Sequence, residues 1–207
     1  MPTYAYNKMS LKSREELDFA YWLTEAVKNG IVKEGFEYEP FSYTIIDDAE
    51  FAIYRKMKRV DDRIEQKSLF NGWTYTPDFV FELTDYGTSN LMNVITDDID
   101  LIREYNTSRK VFLTTNPGKI EVDTKGVFDR WHDSREFSHK QKALFAFHNV
   151  YINKVVPLSF FKKTWVPELA KLRTSGSPRM TKGKPTFDGC ITIKEFLAKY
   201  PKQEMLI

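Results

Sequence analysis

Along the first thirty residues apolar positions recur with the spacing of a helix. Ser13-Arg14-Glu15-Glu16 has the residue types of a capping box, and the pattern runs from there to about Lys28, where Asn29-Gly30 stops it. At about 100° per residue, Phe19, Ala20, Leu23, Ala26 and Val27 share one face, with Glu16 within about 30° of its centre and Glu15 about 70° away. One carboxylate is thereby expected at the edge of the buried side, in the first turn.

Strand-like runs follow. Phe36-Glu37-Tyr38-Glu39-Pro40 leads into Phe41 to Ile46, which ends at Asp47-Asp48. Glu50 to Val60 fits either a second strand or a helix continuing into Asp61 to Glu65. After the turn at Asn71-Gly72, Trp73 to Thr76 reaches Pro77-Asp78 and a short apolar run, Phe79 to Leu83, expected as a buried strand. Residues 84–117 read as an insertion, with a helix at Asp97 to Tyr105 and a strand-like Lys110 to Thr115. Lys119 to Lys125 alternates apolar and polar residues as a strand does. Ser134 to His148 predicts a helix, Val150 to Val156 a strand, and Ser159 to Leu172 further helical patterning interrupted at Pro167. From Arg173 to Cys190 periodicity disappears in a polar, basic stretch expected as a flexible linker. Thr192-Ile193-Lys194-Glu195 then opens a short helix carrying Phe196, Leu197 and Tyr200, expected to dock on this domain, a second copy or a partner.

Composition narrows the classes. The 207 residues are 42% apolar and 29% charged, which excludes wholesale disorder and a fibrous repeat. No apolar run approaches the roughly 18 to 20 residues of a membrane span. Met1 to Lys8 lacks the apolar core of a signal peptide. A lone Cys190 forms no internal disulfide, and His132, His139 and His148 have no metal-ligand spacing. The expectation is a soluble intracellular protein. With 31 basic against 29 acidic side chains the net charge is +2, so phosphate binding has to come from local clusters or from metal ions bridging acids to an anion.

Asp123 and Lys125 share a strand face by period two, and Asp78 opens another strand. If those strands are neighbours the three converge, with Glu16 in reach from the first turn of the helix. Three carboxylates and a lysine suit phosphodiester hydrolysis. The acids would hold magnesium, which prefers oxygen ligands, and the lysine would orient water or offset charge on the transferred group. Glu121, also in phase with Asp123, is an alternative or extra ligand. Glu82 is in phase with Asp78 but reads as a solvated strand residue. Arg130, Arg135, Lys140 and Lys142, after the last motif, are candidates for phosphate contacts, as are Lys162, Lys163 and the cluster Arg173, Arg179, Lys182 and Lys184.

Pro-Asp followed by Asp-x-Lys resembles the signature of the PD-(D/E)XK nuclease superfamily, and the order of helix with Glu, strand, Pro-Asp strand, Asp-x-Lys strand, helix and strand resembles its core. More narrowly, Ser13-x-x-Glu16, Phe36-Glu37-Tyr38-Glu39, Tyr75-Thr76-Pro77-Asp78-Phe79 and Asp123-Thr124-Lys125-Gly126 resemble phage Holliday junction resolvases of the endonuclease I type, over roughly residues 13 to 167 apart from the insertion. The resemblance implies an α/β fold with a restriction-endonuclease-like mixed central sheet flanked by helices. The nuclease domain would span 1–172, with the insertion at about 84–117, a linker at 173–190 and a docking helix at 191–207. It implies catalytic Glu16, Asp78, Asp123 and Lys125, a magnesium site of Glu16, Asp78, Asp123 and Thr124 that manganese could also fill, and action on branched or duplex DNA, often as an intertwined dimer. Two departures stand out. Forty-four residues separate Asp78 from Asp123 where the family has a tight turn, and aspartate replaces the usual glutamate of the last motif. The alternatives are a nuclease-fold protein serving as an oligomeric ring in a phage tail or connector, and a restriction or repair nuclease. The expected location is the host cytoplasm for an enzyme and the virion for a structural component.

Overall fold

The computed structural model describes residues 3–56, 63–105, 111–126 and 133–201. A short hairpin, β1 (Tyr4–Tyr6) and β2 (Met9–Leu11), precedes α1 (Arg14–Lys28). Next come β3 (Glu37–Tyr38), β4 (Tyr43–Ile46), β5 (Ala49–Arg55), β6 (Arg63–Phe70), β7 (Trp73–Tyr75) and β8 (Phe79–Phe81). The 84–117 region contributes α2 (Asp85–Leu91), β9 (Met92–Val94), α3 (Ile99–Tyr105) and β10 (Phe112–Thr114). Then follow β11 (Ile120–Thr124), α4 (Asp133–His148), β12 (Ile152–Val155), α5 (Pro157–Phe160), β13 (Met180–Thr181), β14 (Lys184–Pro185) and α6 (Ile193–Lys199). The fold is mixed α/β.

A four-stranded mixed sheet of order β12-β11-β8-β3 forms the centre. The β3–β8 and β8–β11 pairs are antiparallel, while β12 lies parallel to β11, reached through the α4 crossover. Phe79, Phe81, Ile120 and Val122 turn to one face and pack under α1. Phe19 and Trp22 of α1 meet Phe79, Phe81 and Phe160 there, and Trp22 stacks on Trp165 at 4.7 Å between ring centroids. In a second, smaller cluster, Phe137 and Leu144 of α4 and Tyr75 of β7 are buried with Ile152 of the central sheet.

Helix α1 starts where the pattern placed it. Ser13 Oγ accepts the Glu16 amide at 3.1 Å, and Glu16 reaches back to the Lys12 amide at 2.7 Å, one residue before the position a capping box would use. It stops at Asn29, with Gly30 at φ 66° turning the chain under.

Residues 84–117 are built into the main core. Leu91, Met92, Val94 and Phe112 are buried with the α1 residues, and the Asn153 amide bonds both the N–H and the C=O of Leu113, clamping β10 to β12. The helix expected over 97–105 and the strand near 112–114 are present; α2 and β9 are additions that periodicity did not flag. Gly87 in α2 sits against the turn after α1, where an added Cβ would lie 2.1 Å from the Ile31 carbonyl oxygen. Backbone cannot yield as a side chain can. Gly87→Ala is expected to destabilise by about 3 kcal/mol, read from urea unfolding.

Of the two readings for the stretch that starts at Glu50, the strand holds over the described residues up to Arg55 and again from Arg63; residues 57–62 lie outside the described residues. β5 and β6 pair as a long antiparallel ribbon inserted along the chain between β4 and β7, with Phe51, Tyr54, Ile64 and Leu69 exposed. In the stretch expected to be helical up to Leu172, helical structure is limited to the single turn α5 and a 3-10 turn at Leu169–Lys171. Trp165 between them turns into the core and donates to Glu25 at 3.2 Å.

The 173–190 segment, expected as a flexible linker, is folded onto the domain instead. Its short β13–β14 hairpin is flanked by two anchors, Arg179 on the buried Asp18 and Phe187 in the core. Helix α6 starts with a complete Thr192–Glu195 capping box and packs against its own domain. Phe196 is fully buried, 4.9 Å from the Trp165 ring. A few anchors ordered a stretch whose composition alone predicts none.

Candidate functional site

The β8–β11 register decides where the acids meet. Phe79 pairs with Val122, so extending the ladder by one residue sets Asp78 opposite Asp123, on the face that carries Val80 and Glu121. The 44-residue excursion returns the chain to the strand neighbouring the Pro-Asp strand. Convergence of Asp78, Asp123 and Lys125 is therefore a property of this fold.

Asp78 is held through one oxygen. Thr124 donates both its amide, at 2.6 Å, and its hydroxyl, at 2.7 Å, to Asp78 Oδ2. Thr124 thus enters as a donor to the carboxylate, which fixes the rotamer and leaves Oδ1 without a hydrogen bond from a described residue. Asp123 is 4% exposed. Lys125 Nζ lies 2.9 Å from Asp123 Oδ2 and forms an ion pair with it. Burial and the Asp123 charge push the Asp78 carboxyl up to about 7, against the pull of Thr124. Burial raises Asp123 as well, with Lys125 and Lys140 opposing it. The buried Tyr75 hydroxyl adjoins this pair, and burial together with the two acids raises its pKa.

Glu16 lies beside the pair but is engaged elsewhere. Its oxygens accept from the Lys12 amide, the Ser13 hydroxyl and the Tyr38 hydroxyl, the last at 2.7 Å. Its charge still contributes to raising Asp78. Glu121 shares the Asp123 face but sits two residues back, where Tyr43 donates to it at 2.7 Å. It lines a different cleft, with Lys119 and His148.

A cleft of about 210 Å³ opens over Asp123 and Lys125, walled by Thr74, Tyr75 and Thr76 on one side and by Glu136, Phe137 and Lys140 of α4 on the other. Lys140 therefore belongs to the site itself, tied to Glu136 at 2.5 Å. Arg135 and Lys142 are exposed on α4 and do not line the cleft. Arg130 lies outside the described residues. Sequence reasoning passed over Lys154, the β12 partner of Asp123, whose ammonium lies 5.7 Å from the Phe137 ring centroid. Period-two phase cannot find it, since the pairing of β12 with β11 is not written in either strand.

The half-buried Asp78 and the buried Asp123 face each other, with Lys125 paired to Asp123 Oδ2 and Lys140 on the cleft wall. That donor set fits a hard divalent cation. Among the described residues no group of three or more His, Cys, Asp or Glu side chains is placed to hold a metal ion. A magnesium ion at this point would take Asp78 and Asp123 from the protein and its remaining oxygens from water or phosphate, as magnesium commonly does. The described helices include none long and apolar enough to cross a membrane. No family model, curated protein or solved structure matches this chain.

Proposed function

We propose that the chain is a magnesium-dependent DNA endonuclease of the PD-(D/E)XK type, acting on branched or duplex DNA and most like the junction-resolving enzymes of phages. The observation that carries this reading is the cross-strand pair Asp78 and Asp123, with Lys125 at its edge, on the middle strands of a sheet ordered β12-β11-β8-β3. The order of elements along the chain, from the helix carrying Glu16 through the Pro-Asp and Asp-x-Lys strands to α4 and β12, supports this reading.

Magnesium held by Asp78 and Asp123 would supply charge stabilisation at the scissile phosphate and a more acidic bound water. The protein's own groups do the rest. Thr124 fixes Asp78 through Oδ2, which leaves Oδ1 without a hydrogen bond from a described residue. Lys125 offsets negative charge next to Asp123 and is placed to orient a water or contact a phosphate oxygen. Lys140 brings a second cation to the cleft wall, and Lys154 a third on the neighbouring strand. Glu16, tied up by Tyr38 and Ser13, acts through its charge and by anchoring the turn before α1. Manganese, with similar oxygen preferences, is expected to substitute.

The β5–β6 ribbon, with exposed Phe51, Tyr54, Ile64 and Leu69, favours assembly with further copies. This is the one observation that supports the second reading, a ring component of a phage virion; for the enzyme it supports a dimer.

The test is incubation of the full chain with four-way junction, duplex and single-stranded DNA, in magnesium and in EDTA. Metal-dependent nicking is expected, strongest on the junction, and no cleavage of any substrate in magnesium or manganese removes the enzyme reading. Lys125→Ala should retain magnesium binding by calorimetry yet lose about a hundredfold or more in cleavage rate, because the lysine acts on water or phosphate and not as a ligand. Normal cleavage by that variant returns Lys125 to a solvated strand end.

A further inference from the structure

The basic stretch after Leu172 has a use that the cleavage centre does not absorb. Where it folds back over the N-terminal turn of α1 it closes a cleft of about 380 Å³, lined by Arg14, Arg173, Arg179, Thr174, Thr181 and Thr186 among others and by no carboxylate. Two of the arginines are built in. Arg14 and Arg179 side chains are 18% and 23% exposed, and both grip Asp18, itself 2% exposed.

Each guanidinium is braced from behind. Arg14 uses Nε for Asp18 and Nη2 for the Leu172 carbonyl; Arg179 uses Nη1 for Asp18 and the Ala170 carbonyl and lies 5.0 Å over the Phe187 ring. Neither Arg14 Nη1 nor Arg179 Nη2 has a partner among the described residues. Arg173 is exposed, and its side chain forms no bond with a described residue. One aspartate against three arginines leaves a surplus of two positive charges in a concave, hydroxyl-lined space. Guanidinium forks fixed in advance match the tetrahedral oxygens of a phosphate better than flexible lysines do.

We propose that this cleft binds a phosphate group through Arg14, Arg173 and Arg179. On the nuclease reading above, on which this choice of source rests, the group is a backbone phosphate of the DNA strand outside the cleavage centre. Asp18 then serves to hold two guanidiniums in register; it lowers the net charge without filling the cleft. A free phosphate or a small phosphorylated molecule would be recognised by the same chemistry, and the experiment separates the two.

The full chain in EDTA is titrated with inorganic phosphate, followed by 31P line broadening, and with a labelled single-stranded oligonucleotide, followed by anisotropy at several salt concentrations. Arg173→Ala is the main variant, because its exposed side chain supports no other contact; Arg179→Lys keeps the charge but loses the fork. Wild type is expected to bind phosphate, Arg173→Ala at least fivefold more weakly, and Arg179→Lys more weakly still. The oligonucleotide should follow, with a salt dependence shallower by about 0.7 for the lost contact. Loss of phosphate binding with unchanged oligonucleotide binding supports the anion site but assigns it to a small phosphorylated ligand. Phosphate binding equal in wild type and Arg173→Ala, or absent in wild type, overturns the proposal. Because no metal is present and nothing is cleaved, failure here leaves the Asp78–Asp123 centre untouched, and an inactive nuclease leaves the phosphate result standing.

Discussion

Asp78→Asn is expected to abolish cleavage and, in the absence of metal, to make the protein more stable. Both effects come from the same arrangement. Asparagine keeps the shape, and its carbonyl oxygen accepts the Thr124 amide and hydroxyl as the carboxylate did. It removes the charge that faces Asp123 across the ladder. With magnesium, loss of one of two protein carboxylates costs about a hundredfold or more in rate. Without magnesium, the charge is a liability. Burial and Asp123 raise the Asp78 carboxyl to about 7 in the fold, above its ordinary value near 3.8. The native state then holds a proton that the unfolded chain has released, so stability falls as pH climbs from about 4 through 7. The gain from Asp78→Asn should be close to nothing at pH 4 and about 2 kcal/mol above pH 8. Urea unfolding in EDTA at pH 4.5 and 8.5, beside a cleavage assay in magnesium, reads both. A variant that cleaves within tenfold of wild type ends the metal-ligand role, and one less stable than wild type at pH 8.5 shows the acids are not in conflict.

How much of this was legible beforehand differs from element to element. Helix α1 was, because capping chemistry and a 3.6 period are local and agree. The placement of Glu16 at the edge of the buried side of α1 followed from that period; its capture by the Tyr38 hydroxyl, from a strand 22 positions on, did not. Asp123 and Lys125 could be placed on a common face by period two. That Asp78 stands across from Asp123, with 44 residues between them in the chain, depends on the register between their strands, and register is set by which apolar faces meet in three dimensions. The same holds for Lys154, brought beside Asp123 by the α4 crossover. Residues 84–117 read as an insertion because their strands are three residues long, too short for a period to show, yet Met92 and Phe112 are fully buried. Composition misled at 173–190. Polar, glycine-containing sequence has no periodicity whether it floats or is pinned, and here a buried aspartate on α1, 161 positions away, pins it through Arg179.

The largest stability effect is expected at that C-terminal end: a chain terminated after Thr174 should not fold. Truncation takes Phe196 from the Trp165 ring, 4.9 Å away, and Phe187 from Phe161, 5.3 Å away, opening the core from one side. Losing a buried phenylalanine side chain costs about 3–5 kcal/mol, and here two go at once. Truncation also removes Arg179 from Asp18, leaving a nearly fully buried carboxylate with Arg14 alone, and uncompensated buried charge is a further cost of about 3 kcal/mol or more. The Val166 amide loses the Ile191 carbonyl, and the Tyr86 hydroxyl loses that of Tyr200. Together these losses reach or exceed the roughly 5–15 kcal/mol that holds a domain folded. Phe196→Ala alone should leave a folded protein, weakened by about 3–5 kcal/mol, whereas Lys182→Ala and Lys184→Ala, on the exposed hairpin, should stay within about 0.5 kcal/mol of wild type. Circular dichroism and urea unfolding of the four chains distinguish these outcomes. A truncated chain that melts cooperatively within a few degrees of full length would mean that α6 rests on the domain without supporting it, leaving that helix free to serve a second copy.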